Sequence, residues 1–184
     1  MRGIECKVKT FYDVYTTNIV EEVDELPVIY CDMDMVLCDF LKGAEEILGT
    51  PFPKADKRTK WSIISAKKDF WESLEWMPGA KKMWTFISKY NAHILSAYSS
   101  KDSNSRKGKM DWLRKYAKLS QKSRIHLVIR EDKQKYAMTT NGKPNLLIDD
   151  YIKNINEWKA RGGIGIHHTS PSDTIAQLKQ LGFK

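Results

Sequence analysis

The sequence predicts an α/β protein with a mainly parallel central sheet and a small helical segment inserted after the first strand. Five short apolar runs carry this reading: Val28 to Cys31, His93 to Leu95, Ile125 to Ile129, Leu146 to Ile148 and Ile164 to Ile166. Each is continuous rather than alternating, the pattern of a strand covered on both faces. Helical patterns separate most of them, and strands that alternate with helices pair in parallel. A length of 184 residues suits one sizeable domain.

Taken in order, residues 1–26 form an N-terminal extension that ends in the acidic stretch Glu21-Glu22-Val23-Asp24-Glu25. Pro27 opens the first strand. Residues 27–41 and 79–184 make up the core domain. Residues 42–78 break the alternation: they hold Pro51, Pro53, the basic cluster Lys54, Lys57, Arg58 and Lys60, and the aromatics Trp61, Phe70, Trp71 and Trp76. They read as a small, mainly helical insertion whose aromatics build its own core, with one or two free to stack on a ligand. A helix from Ala80 to Tyr90 follows Pro78-Gly79, with Met83, Phe86, Ile87 and Tyr90 at helical spacing. A second runs from Met110 to Leu119. A third, Tyr151 to Arg161, stops at Gly162-Gly163. A fourth, Ser172 to Leu181, takes Ser172 as cap and ends at Gly182. Asn141-Gly142 is a turn signal.

Composition narrows the function classes. With 41% hydrophobic and 11% aromatic residues, this is no disordered chain. No uncharged apolar run approaches the ~20 residues of a membrane span. The N-terminus lacks the apolar region of a secretory signal. Cys6, Cys31 and Cys38 are an odd set without a CxxC pair, so neither a disulfide framework nor a zinc knuckle is expected, and a reducing cytoplasm is. The net charge of +8 favours anionic partners. The densest basic patch is Arg106-Lys107-Gly108-Lys109, followed by Arg114, Lys115 and Lys118; it reads as a solvated helix face. The four histidines show no metal-binding spacing.

In open parallel sheets ligands bind beyond the carboxyl ends of the strands. There the sequence places Asp32 and Asp34 after the first run, Ser96 after the second, Arg130, Asp132 and Lys133 after the third, and Asp149 and Asp150 after the fourth. Carboxylates crowded at one edge repel, so their pKa values rise or a cation neutralises them. Hard oxygen donors without His or Cys select Mg²⁺. Asp32 and Asp34, two apart on an extended chain, share a face and can approach one phosphorus, one as nucleophile and one as acid/base. Ser96 and Lys133 can hold the non-bridging oxygens. Asp149-Asp150 also suits the cap of the helix that begins at Tyr151.

With DMDMV after one strand, Ser96 after another, a lysine after a third and LLIDD after a fourth, the chain resembles the haloacid dehalogenase superfamily of phosphatases. Within it, the chain is most similar to the 5'(3')-deoxyribonucleotidase family, phage-encoded members included. The stretches VIYCDMDMVLCDF, MPGAKKMW, HILSA, GKMDWL, NLLIDD and NINEWKARGGIGIHHTS carry that similarity. The resemblance implies a Rossmann-like three-layer sandwich with residues 42–78 as a cap over the substrate. It implies Asp32 as nucleophile and Mg²⁺ ligand, and Asp34 as acid/base with its backbone carbonyl on the metal. Ser96 with Ala97 would bind phosphate, Lys133 would stabilise the phosphoryl group, and Asp149 and Asp150 would complete the metal site. Trp61, Phe70, Trp71, Trp76 and Arg130 would contact the rest of the substrate. Two features depart from the pattern: Met35 stands where Gly or Thr is usual, and Lys135 competes with Lys133 as the motif lysine.

The expected activity is removal of phosphate from deoxyribonucleoside monophosphates through an aspartyl-phosphate, with a small nucleotide as partner, no membrane, and a cytoplasmic location, the host's for a phage-encoded chain. Two alternatives stand beside it. One is a phosphatase acting on polynucleotide 3' ends or another small phosphoester. The other is an inactive, basic nucleic-acid-binding protein on the same fold.

Overall fold

The computed structural model describes residues 25–184. The expected N-terminal extension, up to residue 24, and Cys6 lie outside the described residues. Five strands, β1 (Ile29–Cys31), β2 (His93–Ala97), β3 (Ile125–Val128), β4 (Leu146–Asp149) and β5 (Ile164–His167), form one sheet in the order β3-β2-β1-β4-β5. Every pairing is parallel. The helices are α1 (Phe40–Leu48), α2 (Lys60–Ala66), α3 (Phe70–Ser73), α4 (Ala80–Ser88), α5 (Ser105–Lys115), α6 (Ile152–Ala160) and α7 (Pro171–Gln180). The architecture is Rossmann-like α/β.

Side chains along each strand alternate between the two faces of the sheet. Ile29 and Cys31 of β1, Ile94 of β2, and Leu146 and Ile148 of β4 join the larger core with Met83 and Ile87 of α4, Trp112 and Leu113 of α5, and Leu178 of α7. Tyr30, Leu95 and Leu147 point the other way, onto Ile155 and Trp158 of α6. Both faces are therefore covered, which is why the runs carry no polar alternation. Gly163 is required where it stands: a Cβ there would lie 2.2 Å from Trp158 Nε1, the group that donates to the Asn145 carbonyl at 3.1 Å.

Three helices start elsewhere than expected. The second expected helix starts earlier, at Ser105 rather than Met110, and ends before Lys118, which has φ +54°. Its first turns are polar and carry no hydrophobic period, so the sequence pattern began late. The last helix starts at Pro171 rather than Ser172, with Ser170 as its cap: Ser170 Oγ accepts from Asp173 N at 3.2 Å. Pro171 suits the first helical position because it has no N–H to leave unsatisfied. In the third, the chain turns helical at Ile152, one residue after the expected Tyr151.

The chain leaves the sheet after β1 through a tight turn in which Met33 O accepts from the backbone N–H groups of Leu37 (2.7 Å) and Cys38 (2.8 Å). Met35 takes φ +59° in this turn and packs at the edge of the larger core. Asp39 caps α1, its Oδ1 accepting from Lys42 N at 3.0 Å. The helices α1 to α3 follow, and the chain then returns beside its point of departure: Asp39 N donates to Glu75 O (2.9 Å) and Met77 N to Leu37 O (2.8 Å). These pairings put the base of the helical excursion at residues 39 and 75.

Candidate active site

The strand order reverses around β1, so the carboxyl ends of β1, β2 and β4 converge on one crevice. Asp32 continues the β1–β4 pairing, its N–H donating to Ile148 O at 2.9 Å, which seats it beside Asp149. Carboxylate oxygens of Asp32, Asp149 and Asp150 all lie within 4.8 Å of one another. Lys133, from the 3-10 segment Arg130–Tyr136, reaches into this group, donates to Asp149 Oδ2 (2.7 Å) and pairs with Asp32 Oδ2 at 2.9 Å. Lys135 faces outward and pairs with Asp132 at 2.7 Å, so the inward lysine is Lys133.

The electrostatics follow from crowding. Burial and the Asp32 carboxylate push Asp149 above the usual carboxylate range, against the pull of Lys133. Burial, with Asp32 and Asp149 adding to it, pushes Asp150 up to about 7. Burial works against the Lys133 ammonium, but Asp32 and Asp149 more than reverse it and hold its pKa well above the ordinary lysine value. Three carboxylates against one ammonium leave an excess of negative charge. An all-oxygen donor set of this kind fits a hard divalent cation such as Mg²⁺. Asp32, Asp149 and Asp150 are the side chains that would hold it.

Asp34 stands outside that set. Its Oδ2 accepts from Lys109 Nζ at 2.7 Å, and burial raises its pKa despite Lys109. Asp34 Oδ1 is buried and meets no hydrogen-bond partner among the described residues. Lys109 also donates to Ser96 Oγ (2.9 Å) and to the Ala97 carbonyl (2.7 Å). Reading the basic patch at residues 106–109 as a solvated face is thus wrong for Lys109, which is 1% exposed. One signal could have found it: Lys109 shares a helical face with Ser105, Trp112 and Leu113, all buried. Asn154 was also missed. Its Nδ2 donates to both Asp149 oxygens, at 3.1 and 2.9 Å, and fixes that carboxylate from α6. Asp149 Oδ1 accepts from Tyr151 N at 2.9 Å, so this residue serves the helix start while its other oxygen faces Lys133.

Beside Asp34 opens a cleft of about 460 Å³, lined by Phe40, Trp61, Trp71, Ala97, Tyr98 to Lys101, and Ile129 to Glu131. Of the aromatics expected at the substrate, Trp61 and Trp71 line it. Phe70 is sunk in the core, edge-on to Trp71 at 5.1 Å, and Trp76 lies against Trp112 at 4.7 Å; neither lines the cleft. Phe40, not expected there, does. Arg130 borders the cleft, with its guanidinium bonded to Glu157 (2.8 Å) and Asn154 (3.1 Å). A larger cavity, about 980 Å³, lies at the amino ends of the strands around Val28, Asn145 and Ile164; it holds none of the carboxylate cluster.

Fold and site together define an α/β protein with an acidic centre at its topological switch point. Two solved structures share this fold, and a third matches more weakly. A hydrolase from Streptococcus pneumoniae TIGR4 superposes with a TM-score of 0.51 at 12% identity, over 84% of this chain and 98% of that one. The Mycobacterium tuberculosis Protein Tyrosine Kinase A gives 0.51 at 14% identity, over 77% and 83%. A HAD family hydrolase from Deinococcus radiodurans R1, solved with phosphate and sodium, gives 0.46 at 13% identity, over 85% and 88%. No protein-family model and no curated protein matches the chain. Among the described residues no helix is long and apolar enough to cross a membrane.

Proposed function

We propose that the chain is a Mg²⁺-dependent phosphomonoesterase of the haloacid dehalogenase type, acting on deoxyribonucleoside monophosphates. The observation that carries this reading is the division of labour between two aspartates two residues apart. Asp32 sits with Asp149 and Lys133, while Asp34 is turned to Lys109 with its Oδ1 left free.

A divalent cation at Asp32, Asp149 and Asp150 would offset charge on the phosphate and on the three carboxylates. The chain's own groups do the rest. Met33 N donates to Asp32 Oδ1 at 2.8 Å and fixes the rotamer, leaving Oδ2 toward Lys133. An Asp32 oxygen attacks phosphorus and the ester P–O bond breaks. Asp34, with its raised pKa, gives a proton from Oδ1 to the leaving alkoxide. The aspartyl-phosphate is then hydrolysed: Asp34 takes a proton from water, the hydroxide attacks phosphorus, and Asp32 is released with inorganic phosphate. Lys133 and Ser96 Oγ would donate to oxygens of the transferred group, while Lys109, whose three N–H groups are taken by Asp34, Ser96 and the Ala97 carbonyl, holds Asp34 and Ser96 in place. The insertion would act as a cap, and Trp61, backed by the buried Phe40 and Trp71, gives the cleft a flat apolar wall on which a nucleobase would stack.

A phosphate-release screen over nucleoside 5'- and 3'-monophosphates, with and without Mg²⁺, tests the reading. Release that needs Mg²⁺ and favours deoxyribonucleotides is expected; no release from any member would reject it. A second substrate class, the 3'-phosphorylated end of a polynucleotide, is favoured by one feature. Among the described residues, Lys54, Lys57, Arg58, Lys60 and Lys101 have no carboxylate within 4.0 Å. A steep loss of oligonucleotide turnover with salt would select that class.

A further inference from the structure

We propose that Asp102 is a positioning residue for substrate binding, which locks the Trp71 indole as a fixed wall of the cleft; this rests on the phosphatase reading above. Asp102 lies in the loop that follows β2, is 3% exposed, and has no ion-pair partner among the described residues. A buried carboxylate without a cation is costly unless its oxygens are hydrogen-bonded. Here both are. Trp71 Nε1 donates to Oδ2 at 2.6 Å and Asn104 N to Oδ1 at 2.9 Å.

The two bonds join different parts of the molecule. Trp71 belongs to α3, in the insertion, whereas Asn104 leads into α5 of the core. The loop itself is closed by Ser99 N, which donates to Ser105 Oγ at 2.9 Å, and by Ser105 N, which donates to the Asp102 carbonyl at 3.1 Å. Ser99 to Lys101, within that closed loop, line the same cleft as Trp71. Asp102 therefore fixes two walls at once.

The rest of the indole is clamped to match. A Cβ at Gly108 would lie 2.6 Å from Trp71 Cβ, so α3 and α5 touch there, and only a residue without a side chain fits. Phe40 stacks on the ring with centroids 5.6 Å apart and planes at 23°. Lys109 Nζ is 5.1 Å from the ring centroid, but it is also anchored by Asp34, Ser96 and the Ala97 carbonyl. Loss of the Asp102 bond thus removes the hydrogen bond that sets the indole's angle within this packing, while leaving the phosphate end in place. The energy of the latch is spent on holding the shape that receives the non-reacting part of the substrate, and its loss belongs in KM.

The experiment compares Asp102→Ala, Asp102→Asn, Trp71→Phe and the double variant Asp102→Ala/Trp71→Phe. Each is assayed on a deoxyribonucleoside monophosphate and on p-nitrophenyl phosphate. Loss of one buried hydrogen bond predicts that Asp102→Ala raises nucleotide KM about ten-fold, with kcat within about three-fold. The double variant is expected to match the worse single variant, because both remove the same bond. Asp102→Asn, whose one amide oxygen can accept from Trp71, should recover part of the affinity and covers the case in which Asp102→Ala does not fold. Multiplying KM effects in the double variant would overturn the proposal. So would a fall in kcat at constant KM, or equal losses on both esters. A wild-type chain that hydrolyses neither ester rejects the phosphatase reading and the proposal together; an active wild type with any of the preceding outcomes rejects the proposal alone.

Discussion

Lys109 Nζ lies 2.7 Å from Asp34 Oδ2 and 2.9 Å from Ser96 Oγ, so one buried ammonium on α5 joins groups delivered by two different strands. Lys109→Met keeps most of the volume and removes the charge. It leaves Asp34 and Ser96 without the ammonium that holds them in the proposed site. The expected result is a fall in kcat of about 10²- to 10³-fold, the usual effect of losing a preorganised donor. Steady-state phosphate release measures it, and a kcat within three-fold of wild type, taken as roughly no effect, would refute the role.

Asp32→Asn would remove the oxyanion that the proposed mechanism uses as nucleophile while keeping the side chain's shape. Turnover should drop by about 10⁴-fold or more, with the far-UV spectrum unchanged. Trapped acid-stable or acyl-phosphate signals should vanish with it. Retention of wild-type turnover would place the nucleophile elsewhere.

A cation at the acidic centre would link metal binding to stability. Asp32, Asp149 and Asp150 lie within 4.8 Å with Lys133 as their cationic neighbour. Removing that ammonium, as in Lys133→Met, should cost ~3–5 kcal/mol because buried carboxylates lose their counter-charge. Mg²⁺ should raise the melting temperature of wild type, by about 2.7 kcal/mol of stability at a hundred-fold excess over Kd. Asp149→Asn should respond less. Melting curves with added Mg²⁺ or with chelator decide this, and identical curves would argue against a cation at these residues.

A histidine pair predicts acid sensitivity. His93 Nδ1 and His126 Nε2 are 3.0 Å apart on the sheet face that carries Tyr30. Burial, with His126 adding to it, lowers His93 from 6.5 to about 4, and burial lowers His126 as well. Below pH 6.5 the unfolded chain takes up a proton that the folded chain refuses until about pH 4. The unfolded state binds more protons in that window, so stability is complete above it and falls as pH drops through it. The melting temperature of His93→Phe should fall less than that of wild type between about pH 7 and pH 4. Parallel curves would contradict the assignment.

How much of this was legible in the sequence depends on which interactions a residue type reveals. The strands were readable because burial on both faces leaves continuous apolar runs, and each observed strand overlaps its run. Asp32, Ser96 and Asp149 were readable because they follow those runs directly. Lys109 and Asp102 were not. A lysine among lysines and an aspartate in a Ser/Asn-rich loop look like solvent-facing residues, and only packing between α3 and α5 makes them interior. The cleft walls divided for a similar reason: Trp61 and Trp76 have the same side chain, but the short return at Glu75–Met77 turns Trp76 toward Trp112.

The strand that anchors the sheet is only three residues long, comes first among the described strands, and sits in the middle. Its partners arrive late in the chain: Tyr30 pairs with His93 on one side and with Leu147 on the other. During synthesis this strand must wait, with both edges bare, until more than half the polypeptide has emerged. Contacts so distant along the chain slow folding and expose sticky edges meanwhile. Nascent chains truncated before Leu146 are therefore the species to look for in chaperone complexes and inclusion bodies.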